Sequence, residues 1–278
     1  MKAFKILFLL TLFFTLKINA QPFTLKSIDE PKPFSLKIYY VTKGKGAFVQ
    51  YKNKKSIIPL KIKTYRVDKS GKEDVQPDFT SYVWDEIIDG KINGTYYLTE
   101  GLRDLFEVKY IRKKDNRTFK FEEDKSEKFD GISQFLIHDV MIDYNIFYDN
   151  HLKFIYPEKQ ITNVELPDVD SPNFSRQATI GDYNFDGFDD ISFSIPDAGM
   201  GVYRTFTVFL FDSKTKKFKE LKEPDFSKSK CECFCDLKLD KAKKIISSEC
   251  RGGARWWRDS YQYKNGNLVW IGSKEADE

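Results

Sequence analysis

Histidine is almost missing from this chain of 278 residues, with only His138 and His151, and there are just three methionines. Neither histidine lies near a nucleophile motif such as G-x-S-x-G, so both are read as structural and no catalytic constellation is assigned. Cysteine does not occur before Cys231, so an anchor at an acylated N-terminal cysteine is not expected. No apolar run reaches the roughly 20 residues that a spanning helix requires. A strong excess of one charge is also lacking: 46 basic against 42 acidic residues give a formal +4. That is no nucleic-acid signature, which needs a strongly basic face. The basic stretches 43–55 and 112–120 sit beside Gly, Asn and Asp and read as solvated hairpin tips. No repeat of fixed period covers the chain, which argues against a multi-blade propeller.

What is present begins with a processing segment. Met1 to Lys5 is a short basic start, Ile6 to Leu16 is apolar, and Ile18-Asn19-Ala20 offers a small residue for cleavage. Residues 1–20 are therefore expected to be a signal peptide, and a periplasmic or extracellular location follows. Removing Lys2, Lys5 and Lys17 with it leaves about +1 on the mature chain. About 258 residues remain, enough for one large or two modest domains. Aromatic residues make up 16% of the chain. They suit pleated, half-buried surfaces and point to strands.

The pattern predicts a mainly β protein of two antiparallel β domains. From Phe34 to Phe121, alternating segments separated by Gly, Asn and Asp turns have meander spacing, as in a small barrel or sandwich. The charged stretch Glu122 to Asp130 is the expected linker, dividing 21–128 from 129–278. Ile132 to Tyr148 is dense in apolar residues and reads as a short helix or irregular segment followed by a strand. Strands return over 191–195, 205–211, 237–239, 244–247, 260–263 and 268–271, giving a second domain of β-sandwich type.

The most specific string is Asp182-Tyr183-Asn184-Phe185-Asp186-Gly187-Phe188-Asp189-Asp190. Side-chain oxygens at alternate positions, on Asp182, Asn184 and Asp186, can converge on one hard cation. Gly187 permits a sharp turn, the Phe188 carbonyl can face inward, and Asp190 closes the shell directly or through water. The twelfth loop position is Phe193 rather than a bidentate glutamate, and the flanks read as strands. The expectation is a strand–loop–strand Ca²⁺ site and not a helix-pair sensor.

Cys231, Cys233 and Cys235 alternate ahead of Cys250. With a two-residue turn between Asp240 and Lys243, antiparallel counting places Cys233 opposite Cys250 as a disulfide. Zinc is the alternative, although C-x-C-x-C suits a tetrahedral site poorly. Trp84-Asp85-Glu86 carries the chemistry for sugar work but reads better as a strand with Trp84 in the core.

The order of this calcium-type string, a glycine loop Gly199-Met200-Gly201-Val202-Tyr203, an aromatic strand Phe206 to Asp212 and then Thr215 to Phe218 resembles a family of exported bacterial β-proteins. That family is related to calcium-binding lysozyme inhibitors and to immunity proteins against secreted peptidoglycan-degrading effectors. The resemblance covers roughly residues 140–272. It implies a non-enzymatic inhibitor in which calcium braces a sheet while a neighbouring loop enters a hydrolase cleft. Carried over, that loop runs from Asp197 to Arg204. Gly199 and Gly201 allow close approach, and Tyr203 and Arg204 supply the reach. The competing class is a glycan-binding or adhesion module with a structural calcium loop, using aromatics such as Trp256 and Trp257.

Overall fold

The computed structural model describes residues 22–68, 78–101, 104–171, 174–197 and 202–276. The expected signal segment and the glycines Gly199 and Gly201 lie outside the described residues. The first half is an eight-stranded antiparallel barrel: β1 (Phe23–Ile28), β2 (Ser35–Tyr39), β3 (Phe48–Tyr51), β4 (Ile58–Asp68), β5 (Phe79–Ile88), β6 (Lys91–Gly101), β7 (Asp104–Arg112) and β8 (Thr118–Glu123). Each strand pairs with the next, and β1 closes on β8 with Leu25 opposite Glu123. Closure removes every sheet edge, and eight strands leave an interior that side chains alone can fill. On β5 the buried positions are Thr80, Tyr82, Trp84 and Glu86, the period-two pattern of a wall with one dry face. Inside, Trp84 donates to the Gly44 carbonyl at 2.7 Å, and Tyr40 and Tyr82 both donate to Glu100 at 2.8 Å.

Glu122 and Glu123 belong to β8, so the link to the second half is shorter than expected and begins at Asp124. Beyond it come three four-stranded antiparallel meanders. The first holds β9 (Ile132–Ile137), β10 (Val140–Asn145), β11 (His151–Ile155) and β12 (Ile161–Glu165). The second holds β13 (Gln177–Gly181), β14 (Asp190–Pro196), β15 (Arg204–Asp212) and β16 (Lys217–Glu220). The third holds β17 (Lys238–Asp240), β18 (Ile245–Gly252), β19 (Arg255–Lys264) and β20 (Asn267–Glu275).

The middle meander is buried on both faces. Ile191, Phe193 and Phe209 pack with Phe135, Ile142 and Phe154 of the first meander. Val208, with Tyr183 before β14, packs with Ile246 and Tyr261 of the third. The expected sandwich is thus three layers deep. The helix expected near Ile132 is a hairpin: Ile137 pairs with Val140 around His138 and Asp139, whose φ angles are 49° and 62°. A two-residue turn with both φ angles positive matches strand twist, which is why it serves here without glycine. The apolar density that suggested a helix arises because Ile132 and Leu136 are half-buried on one face while Phe135 and Ile137 are buried on the other.

The two halves meet through the β2–β3 connection. Val41 joins the core of the sheet stack, and Thr42 Oγ1 donates to Ala178 O at 2.7 Å. Leu136 N donates to Gly46 O at 2.9 Å. Gly44 has φ 72°, and a Cβ there would lie 2.8 Å from the Tyr82 ring, so the close approach to the barrel core requires glycine.

Candidate metal loop and its surroundings

The loop between β13 and β14 is an exposed turn organised by its own side chains. Asp186 N donates to both Asp182 Oδ1 and Asn184 Oδ1, each at 3.1 Å, and Gly187 N donates to Asp182 Oδ2 at 3.1 Å. Phe188 N donates to Asp186 Oδ1 at 2.9 Å, and Asn184 Nδ2 donates to Asp186 Oδ2 at 3.0 Å. Asp182, Asn184 and Asp186 therefore share the hydrogen bonds of one turn. Gly187 adopts φ 93°, and nothing lies within 4 Å of where its Cβ would be, so conformation rather than space selects glycine. Among the described residues, neither Asp182 nor Asp186 is paired with a basic side chain.

Asp190 departs from its expected part. It is fully buried, and its two oxygens accept from Tyr183 N and Phe211 N at 2.8 Å and from Asn184 N at 3.4 Å. Burial pushes its carboxyl up to about 7. As placed, it ties the loop to β15. The donors left on the exposed side are Asp182, Asn184, Asp186 and the Phe188 carbonyl. Among the described residues no group of three or more His, Cys, Asp and Glu side chains gathers as a metal cluster, so a cation here would depend on Asn184 and on backbone oxygen as well.

Sequence reasoning missed what surrounds this loop. Lys45 of the barrel reaches Asp189 Oδ1 at 2.9 Å, and His138 Nε2 lies 2.7 Å from Asp189 O. The His138 ring stacks on Phe211 at 3.9 Å. The loop is thus a three-way contact between barrel, first meander and middle meander. Nothing in the spacing of Lys45 or His138 signals that meeting, because it depends on tertiary placement.

Of the residues expected at a partner contact, Tyr203 and Arg204 are among those described. The Arg204 guanidinium turns inward: Nε donates to Ser194 Oγ at 2.9 Å, and Nη2 donates to Ser175 O at 2.7 Å and Ser194 O at 2.6 Å. Desolvation pulls its pKa down to about 10. A guanidinium so occupied cannot also fork onto the carboxylates of a partner, which corrects its expected reach. Tyr203 is half-buried and packs against the disulfide cluster of the third meander. Its N–H donates to Asp197 Oδ1, and its carbonyl accepts from Asp197 N.

The cysteine pairing is also corrected. Cys231 bonds to Cys250 across 19 residues, and Cys233 bonds to Cys235. Cys233 does not meet Cys250, for two reasons. Asp240 pairs with Ile245, so the turn is longer than two residues and the register moves by two. Regular pairing also starts only at Lys238, so 231–235 is not an extended strand and Cys231 can fold back onto Cys250.

Adjacent residues on a strand point to opposite faces, which separates two other candidate groups. Trp84 and Glu86 face the barrel interior, whereas Asp85 faces out and accepts from Thr95 Oγ1 at 2.9 Å. Trp257 packs on the disulfides while Trp256 lies on the other side of β19, so the two do not form one platform. His151 is held between Asp143 at 3.0 Å and Asp149 at 2.8 Å.

No protein-family model matches this chain, and neither a curated protein nor a solved structure is significantly similar to it.

Proposed function

We propose that this chain is an exported, non-catalytic binding protein that takes Ca²⁺ in the Asp182–Asp190 loop and inhibits a peptidoglycan hydrolase. The observation that carries the metal reading is the gathering of Asp182, Asn184 and Asp186 oxygens in one turn, with no basic side chain paired to Asp182 or Asp186 among the described residues. Asp182, Asn184, Asp186 and the Phe188 carbonyl would hold the ion, and Asp190 would keep the loop seated on Phe211. Bound there, the ion neutralises two carboxylates and fixes the turn that Lys45 and His138 contact. Millimolar calcium outside the cell suffices even for a weak site.

The hydrolase partner rests on the resemblance over residues 140–272. With Arg204 committed inside the sheet, contact with a partner would fall on exposed groups of the same region such as Val202 and Phe188. The experiment is capture and inhibition of purified cell-wall hydrolases by the mature protein, in calcium and in chelator. Retention and inhibition of at least one hydrolase is expected; none in either buffer removes this partner class.

A glycan-binding reading is favoured by one feature. A polar groove of about 380 Å³ runs between the barrel wall and the first meander, lined by Lys37, Gln50, Glu127, Asp130, Gln134 and Asp143. Clefts between domains are common ligand sites, and amide and carboxylate groups suit sugar hydroxyls. Binding of soluble glycan fragments that is lost in Gln134→Ala would favour this reading over inhibition.

A further inference from the structure

The four cysteines form two bonds of very different situation, and neither metal nor partner accounts for the smaller one. Cys231 and Cys250 are buried, at 1% and 5% exposure, and their bond closes a loop across 19 residues. Cys233 and Cys235 are separated by a single residue; Cys235 is fully buried while Cys233 is only half-buried. A bond across one intervening residue restricts the unfolded chain far less than one across 19, so stability is a weak reason for it.

The backbone around that bond is fixed by other means. Ser248 Oγ accepts from Cys235 N at 2.8 Å and lies 2.9 Å from Cys235 O and 3.0 Å from Cys233 O. Glu249 N donates to Cys235 O at 2.9 Å, and Phe206 N donates to Phe234 O at 2.9 Å. None of these contacts runs through the sulfurs. The geometry therefore offers a half-buried Cys233, a fully buried Cys235, and backbone contacts that do not involve either sulfur.

We propose that Cys233–Cys235 is a thiol–disulfide exchange site for a dithiol substrate or partner. A thiolate of the dithiol attacks Cys233 Sγ, forming a mixed disulfide. The Cys233–Cys235 bond breaks, and its electron pair leaves on Cys235 Sγ, which takes up a proton. The second thiolate of the dithiol then attacks its own sulfur in the mixed disulfide and expels Cys233 as a thiolate. The dithiol is oxidised by two electrons and the Cys233–Cys235 pair is reduced to two thiols. Cys231–Cys250, out of reach of the thiolate, stays closed.

The test is a redox titration of the folded, full mature chain in buffers of reduced and oxidised dithiothreitol. Acid quenching, alkylation and peptide mass mapping then read each bond. Cys233–Cys235 is expected to open at a reduced-to-oxidised ratio at least roughly tenfold below that of Cys231–Cys250, with near-ultraviolet dichroism unchanged. Cys235→Ser should take a glutathione adduct on Cys233 from oxidised glutathione, while Cys233→Ser should leave Cys235 unmodified. Simultaneous opening of both bonds with loss of the tertiary signal would overturn the proposal. So would alkylation of Cys233 and Cys235 in the untreated native protein, or equal adduct formation in the two variants. Should either variant fail to fold, the titration of the unmodified sequence decides alone.

Discussion

The two ends of β14 treat charge in opposite ways. At its entrance, Asp182, Asn184 and Asp186 share one turn at the surface, Asp189 turns to Lys45, and Asp190 is buried under the turn. At its exit, opposite Pro196, Arg204 is drawn into the sheet and spends its donors on Ser175 and Ser194. Side chains of a local turn are governed by their spacing, whereas side chains where a strand begins or pairs are governed by what packs above and below. The middle meander has a neighbour on each face, so a charge placed on it must be satisfied within the protein.

Breaking the exit should cost the most. Arg204→Ala leaves the Ser194 and Ser175 carbonyls without their donor in a buried setting, and we expect a loss of about 3 kcal/mol in urea unfolding. A loss under about 1 kcal/mol would mean that the guanidinium is free to serve a partner. At the entrance, Asp190→Ala removes the acceptor of three backbone amides. A loss of about 2 kcal/mol is expected with calcium chelated, which separates bracing from metal binding.

How far this contrast could be read from the residues depends on the same distinction. The barrel strands, the strand–loop–strand setting and the crowding of Asp182, Asn184 and Asp186 all follow from period-two patterning and local turn chemistry. The contacts of Asp190 and Arg204 could not be read from spacing, because their neighbours, Phe211 and Ser175, come from elsewhere in the chain. Counting across a two-residue turn pairs Cys233 with Cys250, and composition does not fix the length of that turn, where Asp240 pairs with Ile245. Ile132 to Ile137 was obscured because a strand between apolar surroundings loses its alternation.

Smaller effects sharpen the comparison. Saturating calcium, at about 100 times its dissociation constant, should add about 2.7 kcal/mol to the unmodified protein and nothing to Asp186→Ala. Lys45→Ala removes a half-exposed ion pair to Asp189, so about 0.5 kcal/mol is expected in thermal unfolding. A loss several times larger would show that this contact holds the barrel on the sheet stack.

The most direct measurement of the central claim is thermal unfolding of the mature protein in calcium and in chelator, run beside Asp186→Ala. The account predicts a higher Tm with calcium for the unmodified sequence and no calcium response in the variant. Equal melting of the unmodified protein in both buffers would contradict it and leave Asp182–Asp190 as a turn held by its own hydrogen bonds.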